Sequence, residues 1–420
     1  MRAGFEFEGP GLRAQGPESG ARWLLLVWLL VFGAPLVGAQ EPAVEPAAAP
    51  EMVVTTDVPD PDQPVSATLL TVAPGEIYWE RFGHNALIIG YGDGRRISYN
   101  FGYFDFEQPG FLTRFLRGDM RYLAIAFAAD DDLSGYLREG RSVRLQSLSL
   151  PAPALQRLDA VLRQAVSPAE REYRYDYYRR NCSTRIRDAL DEALDGALRR
   201  NTVSRSRGLS LRDFTLAHAA PETWLYVGTH LGLSSAVDRP VSIWEEQFLP
   251  ARVADAIAEL PLVGADGQSG LVRQEQLLGP DWPGAPTFPE RLPWWIGAGL
   301  LLATLFALPG LVGAWARGLI AVTFGLVGAT LLGLWLGTDH WAAAANENIL
   351  LFSPLWWWAL PALARRQPLW RSTALRWTLL VTASALVLKV LPAFDQQNWE
   401  WIWLMAAPWG WLAWRWWRAG

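Results

Sequence analysis

The carboxyl-terminal third of the chain consists largely of long apolar runs, and these constrain its fold more than any other feature. The first run, WWIGAGLLLATLFALPGLVGAW at 294–315, is apolar throughout and long enough to cross a bilayer as a helix. Further apolar runs occupy 319–336, 349–364, 377–394 and 401–417. We therefore expect residues 293–420 to form an all-α transmembrane bundle of about five helices.

The charges between these runs predict an orientation. If residue 293 lies outside the cytoplasm, the outward loops are 338–348 and 395–400, and neither contains Lys or Arg. The inward segments hold all the arginines of this region: Arg317, Arg365, Arg366, Arg371, Arg376, Arg415 and Arg418. This asymmetry follows the positive-inside rule. The part of the chain that precedes the membrane region should then lie outside.

The amino-terminal sequence independently predicts export. WLLLVWLLVFGAPLVGA at 23–39 follows two arginines and ends in small residues, as at a signal-peptide cleavage site. We interpret residues 1–39 as a signal peptide, with an uncleaved anchor as the alternative. Residues 40–64 are rich in Pro, Ala and acidic residues, which is typical of a flexible tether.

Residues 65–262 have the pattern of a folded extracytoplasmic domain, and the Gly- and Pro-rich residues 263–292 that of a linker to the membrane. The predicted elements are a strand at 66–73, a hairpin at 84–102, a helix at 109–118, a strand at 120–128, a helix at 131–140, a strand at 142–150 and a helix at 153–166. Gly92-Asp93-Gly94 supplies the tight turn of the hairpin. The fold class is α+β with a mainly antiparallel sheet.

Cys182 is the single cysteine of the chain, which excludes an intrachain disulfide and a cysteine-based zinc site. It lies where a helical apolar stripe starts, and Asn181 before it is a good N-cap. Backbone N–H groups in the first helical turn favour a thiolate and can act as oxyanion donors. The alternative is that Cys182 merely begins the buried stripe, since free Cys is often a core residue.

A nucleophilic cysteine needs a base, and the chain offers four histidines: His84, His218, His230 and His340. His84 lies at the mouth of the predicted hairpin, and across the turn the strand alternation places Asn100 near it. Asn100 could then fix the tautomer of His84. A register slip of one residue would bring Tyr99 there instead.

Three segments together resemble the Lnb N-terminal periplasmic domain family, whose namesake is a lipoprotein N-acylating transferase: YWERFGHNAL, SYNFGYFDF and YRRNCSTRIRDAL. Segments 244–250 and 338–355 are also similar to members with a membrane region. The motif order resembles permuted, papain-like thiol enzymes, in which the His precedes the Cys. The resemblance implies a catalytic pair of Cys182 and His84. Asn100 matches the asparagine of the NFG motif.

The outward loop 338–348 contains a polar cluster that faces the same compartment as this domain. Asp339, His340, Asn346 and Asn348 are candidate substrate-binding residues, because polar groups beside membrane crossings are often functional. A solvated loop is the alternative. One His with two carboxylates is too few ligands to predict a metal site.

Three functions from different classes are compatible with these features. The first is a thiol acyltransferase that moves a fatty acyl chain from a membrane phospholipid, through a Cys182 thioester, to an amine such as a lipoprotein N-terminus. The second is an NlpC-type cell-wall amidase or peptidase, and the third a non-catalytic membrane scaffold. None needs a cofactor, and a net charge of −5 argues against nucleic acid as a partner. The predicted location is the bacterial inner membrane, multi-pass, with the thiol domain in the periplasm.

Overall fold

A computed structural model describes residues 63–104, 108–263, 267, 269–284, 286–288, 290–367 and 371–419. The signal peptide predicted at 1–39 lies outside these residues, as does almost all of the tether predicted at 40–64.

The strands form two antiparallel sheets within the described residues. Those of the main sheet are β1 (Pro64–Val72), β2 (His84–Tyr91), β3 (Arg96–Tyr103), β4 (Arg121–Ala128), β5 (Val143–Leu148), β6 (Glu172–Arg174) and β9 (Val272–Leu278). They are ordered β6-β4-β3-β2-β1-β5-β9, and each neighbouring pair is antiparallel. β7 (Ser206–Ser210) pairs with β8 (Pro240–Ser242) in the small sheet. The predicted α+β class with an antiparallel sheet is confirmed.

Helices cover both faces of the main sheet. They are α1 (Phe111–Arg117), α2 (Ala129–Arg138), α3 (Ala152–Ala165), α4 (Cys182–Ala193), α5 (Ala197–Thr202), α6 (Leu211–Ala219), α7 (Thr223–Gly232), α8 (Ile243–Glu246) and α9 (Pro250–Ala258). One face carries the larger core, in which Leu87 and Ile89 of β2 are buried with Leu158 of α3 and Ile186 of α4. On the other face α2 covers a smaller core. Alternating strand residues therefore face different helix layers.

The sheet also takes a strand from the segment that the sequence analysis assigned to the linker, 263–292. Val272–Leu278 forms β9 and pairs with β5 along its length. Most of its residues are exposed or half-buried. Its sequence, VRQEQLL, lacks the apolar alternation that identifies a strand with one buried face. The strand could therefore not be recognised from the sequence.

The carboxyl-terminal helices are α10 (Leu292–Ala307), α11 (Gly310–Gly337), α12 (Asn348–Leu351), α13 (Leu355–Ala364), α14 (Thr373–Val387) and α15 (Trp399–Ala419). By length and composition, Gly310–Gly337 and Thr373–Val390 could each cross a membrane. Leu292–Ala307 and Asn348–Ala364 are apolar but shorter. These findings support an apolar helical region, whereas the five-helix bundle stays a prediction.

The predicted boundary between the first two apolar runs, at residues 316–318, is wrong. The chain breaks at Leu308 and Pro309, and α11 then continues unbroken to Gly337. Proline has no backbone N–H to donate, which explains a break at this point. Arg317 is buried within α11 and donates to the carbonyl oxygens of Leu308 and Leu363, at distances of 2.8 and 2.7 Å. The last carbonyl groups of a helix have no N–H donor within the helix, and a buried arginine can donate to them. An arginine between two apolar runs therefore need not lie in a loop.

Candidate active site

The start of α4 is held by a reciprocal capping box. The Asn181 side chain accepts from the backbone N–H of Thr184 at 2.9 Å, and the Thr184 hydroxyl accepts from the backbone N–H of Asn181 at 2.8 Å. The Asn181 amide also donates to the carbonyl oxygen of Phe248 at 2.8 Å, which ties the helix start to the body of the domain. The predicted N-cap is confirmed, and Cys182 is the first residue of the helix.

The hairpin brings His84 to the same place with the predicted register. Ala86 pairs with Asn100 and Ile88 with Ser98, so the one-residue slip to Tyr99 does not occur. Gly83, before His84, has a φ of +80°, and a Cβ there would lie 2.5 Å from the carbonyl oxygen of Val72. Glycine is therefore needed where the chain enters β2.

A line of hydrogen bonds orients the imidazole of His84. Its Nε2 lies 2.8 Å from Oδ1 of Asn100. The Asn100 amide group donates to Oδ2 of Asp132 at 2.9 Å and to the Ser98 hydroxyl at 3.1 Å. Since a carboxylate only accepts, the amide nitrogen of Asn100 must face Asp132, and its oxygen must face His84. Nε2 therefore donates and carries a proton, which leaves Nδ1 as the nitrogen that can accept one.

Cys182 and His84 lie close enough to shift each other's pKa, although 98 positions separate them in the chain. Burial raises the pKa of the Cys182 thiol, but the charge and hydrogen bond of His84, the Ser183 hydroxyl and the backbone N–H of Asn85 together lower it to about 7. Burial lowers the pKa of His84, but the Cys182 thiolate, Asn100 and Asp132 raise it by more. The net effect is a pKa above the usual histidine value. The geometry thus favours a thiolate beside an imidazolium near neutral pH.

A β-bulge lies beside Cys182 at the sheet. The register between β3 and β4 shifts between Phe101 and Tyr103, and the intervening Gly102 has a φ of +93°. A Cβ at Gly102 would lie 3.8 Å from the Cβ of Cys182 and 3.6 Å from the ring of Tyr175. Cys182 is half-buried, so part of this residue is open to the outside of the domain.

The polar loop 338–348 makes contacts with the thiol domain and does not add to the hydrogen bonds of this pair. Asp339 pairs with Arg174 at 2.9 Å, and His340 donates to the carbonyl oxygen of Phe115 at 3.1 Å. The amides of Asn346 and Asn348 both donate to the carbonyl oxygen of Leu231, at 2.9 and 3.0 Å. These four predicted substrate-binding residues therefore join the apolar helices to the domain.

Asp132 and Ser98 are site residues that sequence reasoning missed. Asp132 is the third acid of Asp130-Asp131-Asp132 in the first turn of α2, where acidic residues are common as solvated, dipole-stabilising groups. The Ser98 hydroxyl donates to Oδ2 of Asp132 at 2.6 Å. Only the packing of α2 against the sheet selects Asp132 from its neighbours. Ser98, in contrast, lies two positions from Asn100 on the same strand and therefore on the same face. This spacing is visible in the sequence and could have identified Ser98.

The fold and the site together define a class: an α+β domain with a thiol–imidazole–amide line, joined to apolar helices. No group of three or more His, Cys, Asp or Glu side chains arranged to hold a metal ion occurs in the described ranges. Residues 56–215 match the family model of the Lnb N-terminal periplasmic domain, which confirms the predicted resemblance. No curated protein and no solved structure matches the chain.

Asp132→Asn should weaken the imidazolium–thiolate pair without removing any group that touches the sulfur. The substitution removes the negative charge that raises the pKa of His84. The pH midpoint of Cys182 alkylation by iodoacetamide should therefore rise by about one unit. Asp131→Asn, at the adjacent exposed position, is the matched control and should leave the midpoint unchanged. Equal midpoints for Asp132→Asn and wild type would remove Asp132 from the site.

Proposed function

We propose that the protein is an extracytoplasmic, membrane-anchored thiol acyltransferase. It would move a fatty acyl chain from a membrane phospholipid, through a Cys182 thioester, to an amine such as a lipoprotein N-terminus. The observation that supports this most is the contact of Cys182 with His84, which lowers the pKa of the thiol to about 7. The domain family and the adjoining apolar helices support a lipid as donor rather than a soluble substrate.

In the first half-reaction the Cys182 thiolate attacks the ester carbonyl carbon of the lipid. A C–S bond forms, the ester C–O bond breaks, and the leaving lipid oxygen takes the proton from the His84 imidazolium. The backbone N–H of Asn85, which lowers the pKa of the thiol, and those in the first turn of α4 would be the donors for the oxyanion. Asn100 holds the ring throughout.

In the second half-reaction the amine attacks the thioester carbon. A C–N bond forms, the C–S bond breaks, and the amine proton passes to His84. The thiolate and the imidazolium are thereby restored. Transfer to water instead of an amine would make the protein a hydrolase with the same residues, which is the NlpC-type alternative.

The decisive experiment is mass spectrometry of lipoprotein N-termini from cells with and without this protein. Loss of an N-acyl group in its absence supports acyl transfer. Unchanged N-termini combined with muropeptide release by the purified protein would favour the amidase or peptidase. If neither product depends on the protein, the non-catalytic scaffold is favoured.

The proposal places the protein in the bacterial inner membrane, multi-pass, with the thiol domain in the periplasm. Two features support this orientation: the Arg-free loops and the contacts of Asp339 and His340 with the domain. Reporter fusions after residue 343 should therefore report an outside location, and those after residue 368 an inside one. A cytoplasmic reporter signal at 343 would contradict the orientation.

A further inference from the structure

We infer that a row of aromatic side chains is the path by which a lipid acyl chain reaches Cys182 from the outer membrane surface. This inference rests on the proposed acyltransferase function and names the surface that would bind its donor. The row joins an exposed end beside the apolar helices to the half-buried thiol.

The rings of this aromatic row follow one another without a break. Between successive centroids the distances are 4.3 to 6.3 Å, within the range of direct ring contact. From outside to inside the row is Trp224, Tyr78, Trp79, Phe104, Tyr122 and Tyr175. Its residues come from α7, the β1–β2 loop, the position directly after β3, β4 and the segment before α4, so only the tertiary fold assembles it.

The three outer rings of the aromatic row are exposed, and the three inner ones are buried or half-buried. Tyr78 and Trp79 are 46% and 44% exposed and Trp224 is 37% exposed, whereas Tyr122 is 7% exposed. Large aromatic side chains this exposed are unusual for a domain in water, and a continuous group of them marks a binding surface. A flexible alkyl chain can lie along such a row with its far end in the membrane.

The inner end of the aromatic row reaches the nucleophile. The ring of Tyr175 comes within 3.6 Å of the position that a Cβ on Gly102 would occupy, and the Cβ of Cys182 comes within 3.8 Å of the same point. Burial raises the pKa of Tyr175, and the Cys182 thiolate raises it further. A carbonyl group at the end of a chain on this row would therefore lie beside the sulfur.

The outer end of the aromatic row belongs to a helix that contacts the residue before the first apolar helix. Trp224 belongs to α7, and the ring of Tyr226 on the same helix contacts the guanidinium of Arg291 at 4.2 Å, immediately before α10. Arg291 also donates to the carbonyl oxygen of Ala220, just before α7. The first apolar helix thus begins directly beside this part of the row.

Helix α1 gives a second connection between the row and the membrane. Phe111 of α1 stacks on Phe104, and the carbonyl oxygen of Arg117 accepts from the backbone N–H of Asp339 at 2.7 Å, two residues after the α11 span. Leu112 and Leu116, one turn apart, are exposed, as are Arg114 and Arg117. Apolar residues beside arginines at the outer end of a span fit the interface between acyl chains and phosphate headgroups.

A lipid explains this surface better than a protein or a muropeptide. The surface joins the outer ends of two apolar helices, tyrosine and tryptophan are the side chains that prefer the membrane interface, and arginine pairs with phosphate. A water-soluble cell-wall peptide would need polar groups along its path, which this row offers only at its tyrosine hydroxyls.

The test compares two haloacetamides on the full-length protein in phosphatidylethanolamine and phosphatidylglycerol vesicles. Each reagent alkylates the thiolate with loss of iodide, and Cys182 is the single cysteine, so labelling reports one site. Trp79→Asp should slow labelling by N-hexadecyl iodoacetamide about tenfold, the effect of losing contact with roughly two methylene groups. Labelling by iodoacetamide should stay within about twofold, because the thiol itself is unchanged.

Val203→Asp is the matched control, since Val203 at 46% is about as exposed as Trp79 at 44% and belongs to neither the aromatic row nor α1. It should leave both rates unchanged. Equal slowing of both reagents by Trp79→Asp, or no slowing of either, would overturn the inference. Selective slowing of the long reagent without any change in lipoprotein N-termini would leave the path intact and refute the acyl-transfer proposal instead.

Discussion

Replacing Cys182 with alanine is expected to abolish acyl transfer while the protein still folds. Without the thiolate no thioester can form, and we expect a loss on the order of 10⁴-fold or more. Cys182 is half-buried at the first position of α4, and the capping box that holds this helix uses Asn181 and Thr184 instead. The cost in unfolding free energy should therefore be about 1 kcal/mol or less.

Two measurements check this prediction together. Lipoprotein N-termini from cells that express Cys182→Ala should resemble those from cells without the protein, while thermal unfolding stays near wild type. Cys182→Ser keeps a hydroxyl of similar size but a far higher pKa than the thiol, and it should be nearly as inactive. Full activity of Cys182→Ser, with unfolding of Cys182→Ala, would show that the residue belongs to the core and is not a nucleophile.

Replacing His84 with alanine should deprive the thiol of the group that lowers its pKa. Burial raises that pKa and His84 lowers it, so the variant pKa should rise above the usual thiol value instead of staying near 7. At pH 7 the thiolate would fall from about half of the molecules to roughly 1%. Iodoacetamide labelling at pH 7 should slow by roughly fifty-fold, and its pH midpoint should move upward.

His218→Ala is the matched control for this measurement. His218, like His84, is a half-buried histidine, but its Nδ1 bonds the carbonyl oxygen of Phe214 within α6. Its removal should leave the alkylation midpoint at about 7. A midpoint that is the same in His84→Ala as in wild type would separate the imidazole from the thiol and remove the proposed base.

Local patterns in the chain were sufficient to predict the elements that form the site. The turn at Gly92-Asp93-Gly94 and the alternation of β2 and β3 correctly placed Asn100 opposite Ala86, beside His84. Side chains of a strand alternate between the two faces of the sheet, so a shift of one residue would move the apolar side chains to the wrong face. This restricts the register in which the two strands can pair. Asn181 likewise marked the start of α4, because an N-cap acts within one turn of its helix.

The contacts between distant segments were decided by tertiary packing alone. Asp132 cannot be distinguished from Asp130 and Asp131 until α2 packs on the sheet, since all three are equally suited to a first helical turn. The strand β9 adds to a sheet edge, where hydrogen bonds to β5 replace the apolar pattern that would identify it.

The partners of polar residues in the loop 338–348 and in the first apolar helices were also decided by tertiary packing. Asp339, His340, Asn346 and Asn348 have the residue types of a binding site, and the fold brings them carbonyl oxygens, one arginine and the side-chain amides of Gln396 and Asn398 as partners. Arg317 is a charged residue of the kind expected in a loop between membrane helices. It is buried instead, and the carbonyl oxygens at the ends of two helices accept its hydrogen bonds. A polar side chain specifies which partners it needs, and only the folded chain determines which partners it meets.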